Sequence, residues 1–177
     1  MDILLETERL ILRHFVVEDA PFMLSLVNDP AWLQYIGDRN VHTIPEAEQD
    51  LLKGAIESYE TNGFGFYMVL LKDSLIPIGT CGLAKRDFLD TPDFGFAFLP
   101  EYTGKGLAYE VASANMAYAK EILGLTDLVA ITLPNNEKSI RLLEKLGFWL
   151  DKNFLDHGEE VSLYRFPRKA SFSSHYL

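Results

Sequence analysis

The sequence predicts an α/β (α+β) domain built on a mixed β-sheet. Three observations lead there. Segments with helical spacing both precede and interrupt segments with strand character, an order that fits neither a helical bundle nor an all-β stack. The short apolar runs are rich in aromatic and β-branched residues and bounded by turn residues, as strands are. No repeat, low-complexity tract or Pro/Ser-rich linker divides the 177 residues. One domain is therefore expected over residues 1–167, with residues 168–177 as a poorly ordered tail.

RLILRHF (Arg9–Phe15) reads as a short strand, and VEDAPFMLSLVND (Val17–Asp29) as a helix with acidic residues in its first turn. PAWLQYIG is compact and aromatic. Thr43 opens the next helix: Thr43 and Glu46 have capping-box spacing, and Ala47, Leu51, Ala55 and Tyr59 follow at helical intervals. GFYMVLLK and PIGTCGLA are two strands with a turn around Asp73–Ser74. A strand near Phe94–Leu99 alternates Phe94, Phe96 and Phe98 on one face with Gly95, Ala97 and Leu99 on the other. A helix covers LAYEVASANMAYAKEIL and, being apolar nearly all round, should be buried. DLVAITL is the next strand, SIRLLEKLGF the next helix with Gly147 as its cap, and FWLDKNFLDHGEEVSLYRF a pair of strands turning near His157–Gly158.

Composition narrows the function classes. A net charge of −10 speaks against a nucleic-acid partner, which would want a basic face. It suits a cationic acceptor, although acidic surfaces are also ordinary in soluble proteins. No apolar run approaches the roughly 20 residues that span a bilayer, and MDILLETERL is not a signal sequence. A single cysteine, Cys81, fits a reducing compartment, so a cytoplasmic protein without a membrane partner is expected.

The most informative stretch is EYTGKGLAYEVA (Glu101–Ala112), a strand-to-helix corner holding Gly104, Lys105 and Gly106. A Walker loop would need glycine at Leu99 and a hydroxyl residue at Gly106; a dinucleotide fingerprint would need glycine at Tyr109. Both fail. What remains is either a tight turn or a helix N-terminus bared for an anion. The first turn of a helix offers about four free N–H groups and a partial positive charge. Gly104 and Gly106 carry no Cβ to block a phosphate, and Lys105 adds a mobile cation. The small face of the preceding strand would let an extended ligand lie alongside it.

These residues resemble those of the GNAT N-acetyltransferases. TGKGLA (Thr103–Ala108) is similar to that family's acyl-CoA loop, [QR]-x-x-G-x-[GA], with Gly106 and Ala108 at the last two fixed positions and Thr103 where Gln or Arg is usual. NEKSIRLLEKLGF resembles the family's N-x-x-[SA] segment and the helix after it, and LETERLILRHF resembles the opening of its ribosomal-protein N-terminal acetyltransferase group. The resemblance implies a twisted mixed sheet flanked by helices, with two parallel strands splayed around acetyl-CoA. By position it implies that backbone groups of Phe98 and Leu99 hold the pantetheine. It likewise gives the diphosphate to the amides of Thr103, Gly104, Lys105, Gly106, Leu107 and Ala108, and a pantetheine contact to Asn136. Asn136 is equally placed to cap the SIRLLEKL helix, and the two roles are compatible.

The implied reaction is direct transfer of acetyl from acetyl-CoA to a primary amine, either a protein N-terminal α-amine or a small amine. Many members use a tyrosine as acid for the leaving thiolate; here Leu143 stands at that place, leaving Ser139 as the candidate, as in the ribosomal-protein group. For the base, Glu101, Glu160, Glu159 and His157 are candidates, each of which taken singly reads first as a solvated surface residue. Freeing an α-amine of pKa about 8 at pH 7 costs about 1.4 kcal/mol, against roughly 4.6 for a lysine side chain, so an α-amine is the easier acceptor. A homodimer is common in the group. Against an enzyme stand the missing tyrosine and Thr103, which leave a non-catalytic acyl-CoA-binding module as the alternative. The four histidines, His14, His42, His157 and His175, show no metal-ligand spacing. Cys81, Trp32 and Tyr35 read first as packing residues, the last two in the segment that walls the acceptor site in this family.

Overall fold

The computed structural model describes residues 1–167; the expected tail at 168–177 lies outside them. Eight strands form one sheet: β1 (Ile3–Glu6), β2 (Leu10–Arg13), β3 (Phe66–Leu71), β4 (Pro77–Ala84), β5 (Asp93–Phe98), β6 (Leu128–Thr132), β7 (Trp149–Asp156) and β8 (Glu159–Phe166). Their spatial order is β1-β2-β3-β4-β5-β6-β8-β7. Every neighbouring pair is antiparallel except β5 and β6. The helices are α1 (Ala20–Val27), α2 (Pro30–Tyr35), α3 (Ile44–Leu51), α4 (Glu57–Asn62), α5 (Leu107–Glu121) and α6 (Glu137–Lys145). A wide turn at Leu52–Ile56 joins α3 to α4.

Strand alternation divides the core between two faces. Leu10, Leu12, Tyr67, Val69 and Phe94 pack with Val111 and Met116 of α5 and Leu143 of α6. The intervening Ile11, Met68 and Leu70 pack with Met23, Leu26, Ala47 and Leu51 of α1 and α3. Each large side chain fully buried in this way contributes about 1.5–3 kcal/mol. The capping box that opens α3 is formed: Thr43 Oγ1 accepts the Glu46 N–H at 3.3 Å, and Glu46 Oε2 accepts the Thr43 N–H at 3.1 Å.

Two expectations change. The sheet starts before the strand expected at Arg9: β1 precedes it, and since ILLE does not alternate, its strand character comes from pairing with β2 at the sheet edge. The corner helix is not enclosed all round. α5 buries one face (Leu107, Val111, Ala112, Asn115, Met116, Ala119), while Tyr109, Ala117 and Lys120 are exposed, because its alanines are apolar without being large enough to need a cover.

Candidate active site

The sheet opens between β5 and β6. The two strands share the register pair Asp93↔Val129, with the Val129 N–H donating to Pro92 O at 3.0 Å, and then part. Buried Asp93 sits at the fork, accepting from Arg86 Nε at 2.6 Å. Burial pushes its carboxyl pKa up, partly offset by Arg86 and by the nearby Ile131 amide. Beyond the fork, backbone direction decides what a ligand can reach. The Leu99 N–H points to β4 and donates to Ile78 O at 2.9 Å, so the alternating Phe98 and Phe96 groups point into the gap. The Leu99 carbonyl is used too, accepting from the Tyr102 N–H at 3.0 Å. The Leu99 N–H is thus engaged with β4 and its carbonyl accepts one bond from Tyr102, while the backbone groups of Phe96 and Phe98 lie on the gap side.

The strand ends on a short turn, Pro100–Tyr102, and then the glycine corner. Thr103 folds back into that turn, its N–H and its hydroxyl both donating to Pro100 O, at 3.1 and 2.7 Å. Its amide, expected among the diphosphate donors, is thus engaged within the turn. From Gly104 to Tyr109 no backbone N–H has a backbone acceptor among the described residues, the first helical bond being Glu110 N–H to Gly106 O at 3.1 Å. Gly106 precedes α5 at φ +77, a conformation that costs an L-residue roughly 1 kcal/mol or more. Lys105 is exposed, with Nζ 5.7 Å from the Tyr102 ring centroid.

Asn136 caps α6, its Oδ1 accepting the Ser139 N–H at 3.3 Å. Its amide nitrogen remains available, so capping and ligand contact are compatible. Ser139 is half-buried at the start of α6, one turn before Leu143 and on the same side. Leu143 itself is 1% exposed and belongs to the core, so nothing at that position can donate a proton.

The base candidates are spread out. Glu101 is exposed in the turn after β5. His157 and Glu159 are exposed at the β7–β8 tip, just past the Thr132↔Ser162 pair that ends β6. Glu160 is exposed as well; its Oε1 accepts from Asn153 Nδ2 at 3.3 Å, and Asn153 Oδ1 accepts from the buried Ser162 hydroxyl at 2.8 Å. The turn expected near His157–Gly158 carries the register that aligns Ser162, Asn153 and Glu160, but not the bonds between their side chains. On the opposite side of the gap, Trp32 is buried in the cluster that Ala97 and Leu99 adjoin, and its indole N–H has no partner among the described residues. Tyr35 is half-buried on the same helix. Cys81 is wholly buried, and burial alone pushes its thiol pKa far up, which removes it as a nucleophile. Among the described residues no cluster of His, Cys, Asp or Glu could hold a metal ion, and no helix is long and apolar enough to cross a membrane.

Comparison with known proteins gives the same fold and names it. The model of the family described as "Acetyltransferase (GNAT) domain" matches residues 9–149. An N-acetyltransferase of Bacillus subtilis, YoaA, is 32% identical over 148 residues, covering 82% of each chain. The spermidine N(1)-acetyltransferase of Escherichia coli is 43% identical over 56 residues, 32% of this chain and 30% of that one. The ribosomal protein uS5-alanine N-acetyltransferase of Escherichia coli is 26% identical over 110 residues, 60% of this chain and 56% of that one. Among solved structures, an acetyltransferase from Agrobacterium tumefaciens superposes with a TM-score of 0.78 at 26% identity, over 92% of both chains.

Proposed function

The chain belongs to the GNAT family of acetyltransferases, and on that premise we propose that it acetylates the α-amine of a protein N-terminus, with acetyl-CoA as donor. One observation carries the donor site: a strand edge left unpaired beyond Asp93↔Val129 leads to a helix tip with bare amides. Acetyl-CoA supplies a thioester acyl group, a long polar arm and a diphosphate. The Phe96 and Phe98 backbone groups match the arm, and the amides from Gly104 to Ala108, with Lys105, match the diphosphate. Asn136 adds a side-chain amide to the arm while holding Ser139 in the first turn of α6.

Within this reading Ser139 protonates the leaving sulfur. Backbone N–H donors along the gap stabilise charge on the acyl oxygen, an effect worth several kcal/mol in such reactions. Glu160 receives the proton of the acceptor amine, helped by the low demand of an α-amine, and Glu101 is the alternative base at the other rim. The match to the uS5-alanine enzyme favours an α-amine acceptor. A second reading, a polyamine acceptor, is favoured by the net charge of −10 and by the stretch shared with the spermidine enzyme.

The test is thiol release from acetyl-CoA with two panels, N-terminal peptides and polyamines. Turnover with peptides that is lost on blocking their α-amine supports the first reading. Turnover with spermidine alone replaces it with the second. No turnover above the protein-free blank, together with CoA binding, would leave a non-catalytic acyl-CoA-binding module.

A further inference from the structure

Arg9 lies in the turn between β1 and β2, yet its side chain ends at the glycine corner. Its Nε donates to Glu110 Oε2 at 2.7 Å and its Nη1 to Lys105 O at 3.1 Å. Glu110, in the first turn of α5, is held from two further sides: Oε1 accepts the Thr7 hydroxyl at 2.7 Å and the Arg9 N–H at 2.8 Å. Two of the five guanidinium N–H bonds are thereby used, and Nη2 has no partner among the described residues. That nitrogen lies 3.5 Å from where a Cβ on Gly106 would stand, so it borders the space the glycine leaves open. The arginine side chain is 47% exposed, and a ligand can reach it.

We infer that Arg9 is a diphosphate-binding residue of the donor site, with Glu110 and Thr7 as the residues that position it. This rests on the donor-site reading above and adds to it a cation from outside the loop. The geometry is specific. A planar guanidinium offers its remaining donors as a fork matched to phosphate oxygens, and two anchored atoms keep that fork beside Gly106. Lys105 has no such anchor: its ammonium lies 5.7 Å from the Tyr102 ring centroid, without a hydrogen-bond partner among the described residues. Glu110 would repel a diphosphate if it stood alone at the helix tip; paired with Arg9 it becomes the orienting group instead. The bond to the Lys105 carbonyl also ties the guanidinium to the loop whose amides from Gly104 to Tyr109 lack backbone acceptors among the described residues.

The deciding comparison uses the intact chain with two donors, acetyl-CoA and acetyl-pantetheine, which lacks the diphosphate. CoA affinity is read by calorimetry across a salt series, and turnover with each donor by thiol release. For Arg9→Met, CoA affinity should fall about tenfold or more and lose part of its salt dependence. The acetyl-CoA KM should rise with kcat within about twofold, while kcat/KM for acetyl-pantetheine stays level. Arg9→Lys should recover only part of the affinity, because an ammonium cannot hold both anchors and a fork. CoA affinity within about twofold of the unsubstituted chain, or equal losses with both donors, would overturn the assignment. If Arg9→Met does not fold, Glu110→Gln decides: weaker CoA binding with unaltered acetyl-pantetheine turnover supports the positioning role, and unaltered CoA binding overturns it. Absence of CoA binding by the unsubstituted chain would instead reject the donor site itself.

Discussion

Asp93 and Val129 form the register pair that joins β5 to β6, and the sheet parts immediately after it. The residue at the fork is a buried carboxylate bonded to Arg86 rather than an apolar side chain. The position of that pair sets the length of free β5 edge beyond it.

Replacing Asp93 separates charge from hydrogen bonding. Burial raises its folded pKa above the ordinary value of 3.8, so ionisation is disfavoured by the fold, and its contribution falls as pH rises through that raised value. Asp93→Asn should therefore cost less than about 1 kcal/mol at pH 7 and flatten the acid side of the stability profile. Asp93→Ala should cost about 1–3 kcal/mol by leaving the fork's donors unpaired. Denaturant unfolding between pH 4 and 7 measures both.

Glu110 has the opposite sign. Partial burial at the helix start pushes its pKa up, but bonds from Thr7 and Arg9 outweigh that and hold it below the ordinary 4.5. Its contribution to stability is present above about pH 4.5 and is lost as pH falls through the lowered value. The melting temperatures of the unsubstituted chain and Glu110→Gln should differ at pH 6 and converge below pH 4.

Gly106→Glu places a β-carbon at φ +77 and a carboxylate where the diphosphate is expected. Nothing but the Arg9 guanidinium lies within 4 Å of that β-carbon, so the fold should survive with a loss of about 1–2 kcal/mol. CoA binding, measured by calorimetry, should disappear. Undiminished binding would remove the corner from the donor site.

Ser139→Ala should lower kcat by about 10²-fold, the scale of a general acid, with little change in CoA affinity. Asn136→Ala should do more to the fold, about 1 kcal/mol through the lost cap, and should also weaken CoA binding. Leu143→Tyr, which restores the residue usual in the family, should not restore chemistry. That site is packed core, and the larger ring should cost about 1–3 kcal/mol. Steady-state kinetics beside thermal unfolding distinguishes these three.

Much of this architecture is legible in the sequence because it is local. The alternation of Phe94 to Leu99, the Thr43–Glu46 box and the glycine corner follow from neighbours within a few residues. What escaped depends on turn geometry and strand pairing rather than on composition or periodicity. β1 is a strand only beside β2, and Thr103 loses its amide only because Pro100–Tyr102 tightens into a turn. The link of Ser162 through Asn153 to Glu160 follows from the pairs Asn153↔Ser162 and Leu155↔Glu160, which the two-residue turn between Asp156 and Glu159 sets. The place of that turn is legible in the sequence; which side chains bond across the strands is not.

The bond between Arg9 and Glu110 spans 101 positions of the chain. Contacts at that separation form only after the intervening segments have collapsed, since loop closure must come first. During synthesis from the N-terminus, Arg9 emerges long before α5 exists to receive it. The corner's geometry therefore requires the opening residues and α5 to be brought together, which makes it a property of the finished chain rather than of its loop.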